Sequence, residues 1–193
     1  MPVEPMVVDG QRAWRKRYVD SRRRWPLAAL AAIASLLKLP PLRPPPRHPP
    51  ARARQVEGRR LRQLRALGVH APRVLAEGED WLVLSDLGPT LASGLRAAAG
   101  DADATDALVR RAAQAIADAH GSGACFGQPL PRNLVIDHGR IGFIDFEEDP
   151  LEVMTLVHAQ ARDWLLFAYG IARYYDGRPQ ALATLLDEVL KAA

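Results

Sequence analysis

Cysteine is almost absent from the 193 residues: Cys125 stands alone. A single thiol excludes a disulfide framework and a multi-cysteine zinc site within one chain, and a lone cysteine is most often inert and buried. Lysine is scarce too, with Lys16, Lys38 and Lys191 set against 23 arginines. Long hydrophobic runs are also lacking. The run Leu27 to Leu37 falls short of the roughly 20 residues a bilayer crossing takes. Met1 to Gly10 carries acids and no apolar run, so no secretory signal is expected and the cytoplasm is the expected compartment. Nor is there an internal repeat. His48, His70, His138 and His158 have no cysteine or histidine partners at ligand spacing, which argues for surface or core roles. Gly121, Gly123 and Gly127 imitate a dinucleotide fingerprint, but they follow a helical pattern and lack a βαβ setting.

What is present suits a globular chain. Hydrophobic residues make up 48%, enough for one domain or for two small lobes sharing a core. Net charge is only +4, yet residues 1–75 hold 17 Lys/Arg against 4 Asp/Glu, and the remainder is acidic. Such asymmetry points a basic face at an anionic partner: nucleotide phosphate, membrane or nucleic acid. Codon bias also produces arginine, so the excess alone is no argument for nucleic acid, which is the disfavoured partner.

Local patterns divide the chain near residue 86. Val7-Val8, the turn Asp9-Gly10 and Ala13 to Val19 predict a hairpin. Seven prolines within residues 40–50 predict an extended, partly polyproline connector. Helix is expected from Ala53 to Leu67, with Leu61, Leu64 and Leu67 at helical spacing and Gly68 as its stop. Trp81 to Ser85 reads as a buried strand, and Asp86 to Pro89 as a boundary. Beyond it, helices are expected over Thr90 to Ala99 and Thr105 to Ser122, the latter capped by Thr105 or Asp103. A second hairpin joins Leu134–Ile136 to Ile141–Ile144 around Asp137-His138-Gly139. Helices over Thr155 to Tyr175 and Pro179 to Lys191 complete an α+β chain.

Residues 120–150 carry the chemistry. Asn133 leaves a loop and enters one strand of the second hairpin; Asp145 ends its partner. The hairpin places the two positions at one end of the sheet. An amide oxygen and a carboxylate converging there suit a hard cation such as Mg²⁺. From the sheet pattern alone, an ordinary hairpin followed by an exposed acidic turn, Glu147 to Asp149, accounts for the same residues.

Asn133 followed twelve positions later by Asp145-Phe146-Glu147 resembles the metal-binding pair of the protein-kinase-like fold. The rest of the chain is similar in order. Lys16 in Ala13-Trp14-Arg15-Lys16 resembles the phosphate-contacting strand lysine, and Glu57 resembles the helix glutamate that pairs with it. Gly68-Val69 to Pro72 and Leu82 to Gly88 resemble segments of the small KEOPS-complex kinases and lipopolysaccharide-core sugar kinases. His120 and Gly123 resemble the approach to the catalytic loop, and Asp163 the buried aspartate that braces it.

The resemblance implies a minimal two-lobed fold, with a reduced N-lobe over 1–86 and a helical C-lobe over 87–193. It implies ATP and Mg²⁺ as cofactors and phosphoryl transfer to a hydroxyl of a protein, a sugar or a lipid-linked sugar. Lys16, Glu57, Ser85 and Leu87 would bind nucleotide, Asn133 and Asp145 would hold the metal, and Gln128 would face the acceptor.

Three departures accompany it. Gln128 stands where the family carries a catalytic aspartate, Phe126 replaces a histidine, and no glycine-rich phosphate loop precedes Lys16. The first strand is therefore expected to be missing or vestigial. Gln128 motivates a second expectation, a pseudokinase that binds nucleotide or a partner without catalysis. Residues 20–52 interrupt the template with Arg22-Arg23-Arg24, the apolar run and the proline tract. They read as a membrane-surface element through residues 22–37, placing the protein at the inner face of the membrane, or as a helix packed on the N-lobe. A basic membrane- or nucleic-acid-binding module over residues 12–65 is a third reading.

Overall fold

The computed structural model describes residues 2–19, 40–46 and 48–192. The architecture is α+β. Strand β1 (Val3–Val8) and β2 (Gln11–Arg17) form the first hairpin, closed by Asp9 and Gly10 at φ of 49° and 74°. Both turn residues are left-handed, the geometry that matches strand twist in a two-residue hairpin. β1 pairs with β2 along its whole length, from Val3 opposite Lys16 to Val8 opposite Gln11. A full strand therefore precedes Lys16, where a vestigial one was expected.

β3 (Val74–Glu77) and β4 (Trp81–Ser85) complete an antiparallel sheet in the order β1-β2-β4-β3. β4 is central, which explains why Leu82, Val83 and Leu84 are all buried. Helix α1 (Pro50–Ala66) packs on this sheet. Its buried face is Ala53, Val56, Glu57, Arg60, Leu61 and Leu64, a helical stripe with two charged members. Leu67 lies just past the helix and is exposed, so the expected stripe runs one turn earlier. Pro40–Leu42 form a 3-10 turn rather than extended chain, and Pro50 occupies the first turn of α1. The apolar run Leu27 to Leu37 and the expected membrane contact at 22–37 lie outside the described residues. Among those described, no helix is long and apolar enough to cross a membrane.

The remainder is mostly helical. α2 (Leu91–Ala97) is capped by Thr90, and α3 (Ala102–Gly121) by Asp101, whose carboxylate accepts from Ala104 N at 2.9 Å. The cap thus falls before both Asp103 and Thr105. β5 (Leu134–Asp137) and β6 (Arg140–Phe143) form the second hairpin, which Phe143 N anchors to His70 O at 2.9 Å. α4 (Leu156–Ala172) begins at its Thr155 cap, and α5 (Pro179–Ala192) packs on α3. Phe126 stacks on Phe143 with centroids 3.9 Å apart, inside a core that runs from Leu61 and Leu82 through Ile116 to Phe167.

Gly88, after β4, has φ +91°, and a Cβ there would meet Ile136 O at 2.9 Å. Gly10 is also left-handed, at +74°, but has open space around it. Gly10→Ala is expected to cost about 1 kcal/mol of backbone strain. Gly88→Ala adds a collision with backbone and is expected to cost about 2–3 kcal/mol. Urea unfolding of the two variants measures the difference.

Candidate functional site

Lys16 organises the site. Strand alternation turns Lys16 and Tyr18 to the same side of the sheet, toward the buried stripe of α1. Lys16 Nζ donates to Glu57 Oε2 at 2.7 Å and to Asp145 Oδ1 at 2.6 Å, and it lies 3.5 Å from Glu147 Oε2. Tyr18 OH donates to the same Glu57 oxygen at 2.6 Å, and Phe146 N donates to Glu57 Oε1 at 3.3 Å. Glu57 has no exposed surface, so these donors replace the water its carboxylate loses.

The second hairpin delivers the acidic side. Ile144 N donates to Asn133 O at 2.9 Å, extending the β5–β6 pairing and holding Asn133 and Asp145 at one end, as the sequence predicts. Asp145 is left-handed at φ 70°, a conformation uncommon outside glycine. Glu57, Asp145 and Glu147 offer carboxylate oxygens within 4.8 Å of one another. One ammonium among three carboxylates leaves the cluster negative, and hard oxygen donors of this kind suit a divalent cation. Asn133 lines the same cavity, and its amide nitrogen donates to Gln128 O at 3.0 Å. The three carboxylates could therefore hold a metal ion.

Burial would pull Lys16 down, but Glu57, Asp145 and Glu147 outweigh it and its pKa is raised. Burial, then Glu57, raises Tyr18 as well. Burial also raises Glu147, with Asp145 and Glu57 adding to it against the opposing pull of Lys16.

The cavity over this cluster holds about 420 Å³ and is lined by Lys16, Glu57, Ser85, Leu87, Asn133 and Asp145, among others. Six of the seven sequence-predicted site residues thus share one cavity. Gln128 lies in an adjoining one of about 190 Å³, together with Asp145, Glu147 and Glu148. Its Nε2 donates to Glu148 Oε2 at 2.8 Å.

The loop carrying Gln128 is held from below. Asp163 on α4 is fully buried and accepts from Phe126 N at 2.7 Å, Gly127 N at 2.6 Å and His120 Nε2 at 3.1 Å. Arg162 Nε donates to Gly127 O at 3.2 Å, and its Nη1 donates to Pro41 O at 3.0 Å. Arg60 reaches Asp149 at 2.9 Å and Cys125 O at 2.7 Å, while Arg59 reaches Asp149 at 2.8 Å. Asp149 is buried in these contacts, which corrects the reading of Glu147 to Asp149 as an exposed acidic turn. Cys125 is buried, and burial pushes its thiol up to about 11, as expected of an inert cysteine.

Tyr18, Arg60 and Arg162 were missed in the sequence, and Glu147 reads there only as a motif and acidic-turn residue. For Tyr18 a signal existed, since it follows Lys16 at strand spacing. Arg60 and Asp149 are 89 positions apart, and no local pattern links them. No protein-family model matches the chain, and no curated protein matches it.

Two outcomes follow from the cluster. Glu57→Ala leaves Lys16, Tyr18 OH and Phe146 N without their shared acceptor, and is expected to lower stability by about 3–5 kcal/mol in urea titrations. In the unfolded chain Tyr and Lys lose protons near 10.0 and 10.5, whereas native Tyr18 and Lys16 retain theirs. The native state therefore binds more protons above that pH, and stability falls as pH rises. Tyr18→Phe removes one of these protons and makes the fall shallower by up to about 1.4 kcal/mol per pH unit, read from urea midpoints across alkaline pH.

Proposed function

We propose that this chain is a minimal protein-kinase-like phosphotransferase, two-lobed around the Lys16 cavity. It would bind ATP with Mg²⁺ and transfer phosphate to a hydroxyl of a protein, a sugar or a lipid-linked sugar. One observation carries the reading: Lys16 Nζ meets Glu57 at 2.7 Å and Asp145 at 2.6 Å, although Lys16 and Asp145 are 129 positions apart. Their meeting, in the chain order that the resemblance implies, supports this reading. A cavity of about 420 Å³ is within the usual range for a small-molecule site.

In this reading Lys16 holds nucleotide phosphates, and Glu57 fixes the lysine from the buried side. Ser85 and Leu87 form the wall after β4 against which the nucleotide lies. Asn133 and Asp145 would hold the metal, with Glu147 beside them. When bound, Mg²⁺ neutralises phosphate charge that the acidic cluster would otherwise repel. Gln128 positions the acceptor hydroxyl through its amide but cannot accept the proton as a carboxylate would.

A specific observation favours a second reading, a pseudokinase. Gln128 spends its amide N–H on Glu148 at 2.8 Å, and a neutral group occupies the position of the catalytic base.

Melting with millimolar ATP and Mg²⁺ tests both readings. A ligand at a hundredfold excess over its Kd stabilises the native state by about 2.7 kcal/mol. The expected result is a rise in Tm that Asp145→Ala abolishes; an unchanged Tm would reject nucleotide binding altogether. Transfer of γ-³²P separates the two readings. Asp145-dependent transfer by the unaltered chain identifies the enzyme. Transfer that emerges only in Gln128→Asp identifies a decayed one.

A further inference from the structure

Beside the Lys16 cavity lies a wider one of about 850 Å³, and the two share Ser85 to Gly88 as a common wall. Its lining gathers arginines from separate parts of the chain: Arg12 on β2, Arg65 on α1, Arg73 ahead of β3 and Arg140 on β6. Arg12 lies 3.6 Å from Asp86. The other three are different. Among the described residues, none of Arg65, Arg73 and Arg140 has a carboxylate within 4.0 Å.

Each of those three is oriented by a neutral acceptor instead. Arg65 Nη1 donates to Ala71 O at 2.8 Å, Arg73 Nη2 to Gln11 Oε1 at 3.2 Å, and Arg140 Nη2 to Gly68 O at 3.4 Å. Such bonds fix a guanidinium without neutralising it, and most of its five N–H donors stay available. The remaining acid of the cavity, Asp137, is engaged by His70 at 2.8 Å. Three oriented, uncompensated guanidinium groups therefore line one concavity. None of them belongs to the Lys16 cluster.

We propose that this groove binds the phosphoryl group of a ligand through Arg65, Arg73 and Arg140. A phosphate monoester brings close to two negative charges and three acceptor oxygens, which matches several guanidinium forks better than a single carboxylate does. Nucleic acid fits less well. Among the described residues the lining contains no Phe, Tyr or Trp on which bases would stack, and the carboxylates of Asp86 and Asp137 interrupt the basic wall.

Binding of pyrophosphate without Mg²⁺, by calorimetry at low ionic strength, tests the assignment. The variants are the triple Arg65→Gln, Arg73→Gln, Arg140→Gln and the control Arg62→Gln, an exposed α1 arginine outside this lining. All four positions are exposed, and melting curves confirm that each variant is folded. A second arm uses vesicles containing phosphatidic acid, which distinguishes a lipid headgroup from a free phosphate compound. The expected result is pyrophosphate or vesicle binding that weakens about tenfold or more in the triple variant and not in the control. Binding that survives the triple variant, as it would if pyrophosphate sat on Lys16, overturns the proposal. So does the absence of binding to both probes, or tighter binding of a tetra-aspartate peptide than of pyrophosphate.

Discussion

A lysine and a glutamate removed from water have to satisfy each other, and that requirement ties this chain together. Lys16 is 7% exposed and Glu57 is not exposed at all. Isolated burial of either charge would cost several kcal/mol. Their contact is therefore a constraint on three separate segments. β2 must present Lys16 inward, α1 must turn its charged stripe toward the sheet, and the strand end at Asp145 and Phe146 must come close enough to supply a second carboxylate and a backbone donor. A buried pair of this sort contributes little net stability compared with apolar packing, so its worth lies in specifying one arrangement. The left-handed backbone of Asp145 fits that view, because a conformation costing about 1–3 kcal/mol persists only where its surroundings over-determine it.

The parts that were legible in the sequence are those with short-range grammar. Asp9-Gly10 and His138-Gly139 mark the two hairpin turns, and both pairs are left-handed. The apolar run at Trp81 to Ser85 is the central strand. Asn133 and Asp145 meet because a hairpin of the length read from the sequence brings its ends together. What stayed hidden depends on pairings across the chain. Arg60 sits in a run of arginines, and nothing local distinguishes it from its solvent-facing neighbours. It is singled out only when Asp149 and the Cys125 carbonyl arrive from 89 and 65 positions away. Glu147 reads in the sequence as the third residue of Asp145-Phe146-Glu147 and as part of an acidic turn, and gains its setting from Lys16, whose Nζ lies 3.5 Å away. The cap of α3 was misplaced for a simpler reason. Asp101, Asp103 and Thr105 are all competent caps, and the choice among them follows from where Ala98 to Gly100 end the preceding helix.

Support and chemistry separate at the loop before β5. Asp163 and Arg162 hold Phe126 and Gly127 through their backbones, and His120 steadies the Asp163 carboxylate, with none of these bonds made to the side chain of Gln128. A change of side chain at position 128 leaves the donors and acceptors of these bonds in place.

The connection between β2 and α1 is fastened at each end by a separate device. On one side Tyr18 N donates to Asp80 O at 2.8 Å and Tyr18 OH to Glu57, while on the other Arg162 grips the Pro41 carbonyl. The two posts therefore answer to different parts of the molecule: loosening the first is felt at Glu57 beneath the Lys16 cluster, and loosening the second at the Gly127 carbonyl that the same Arg162 holds.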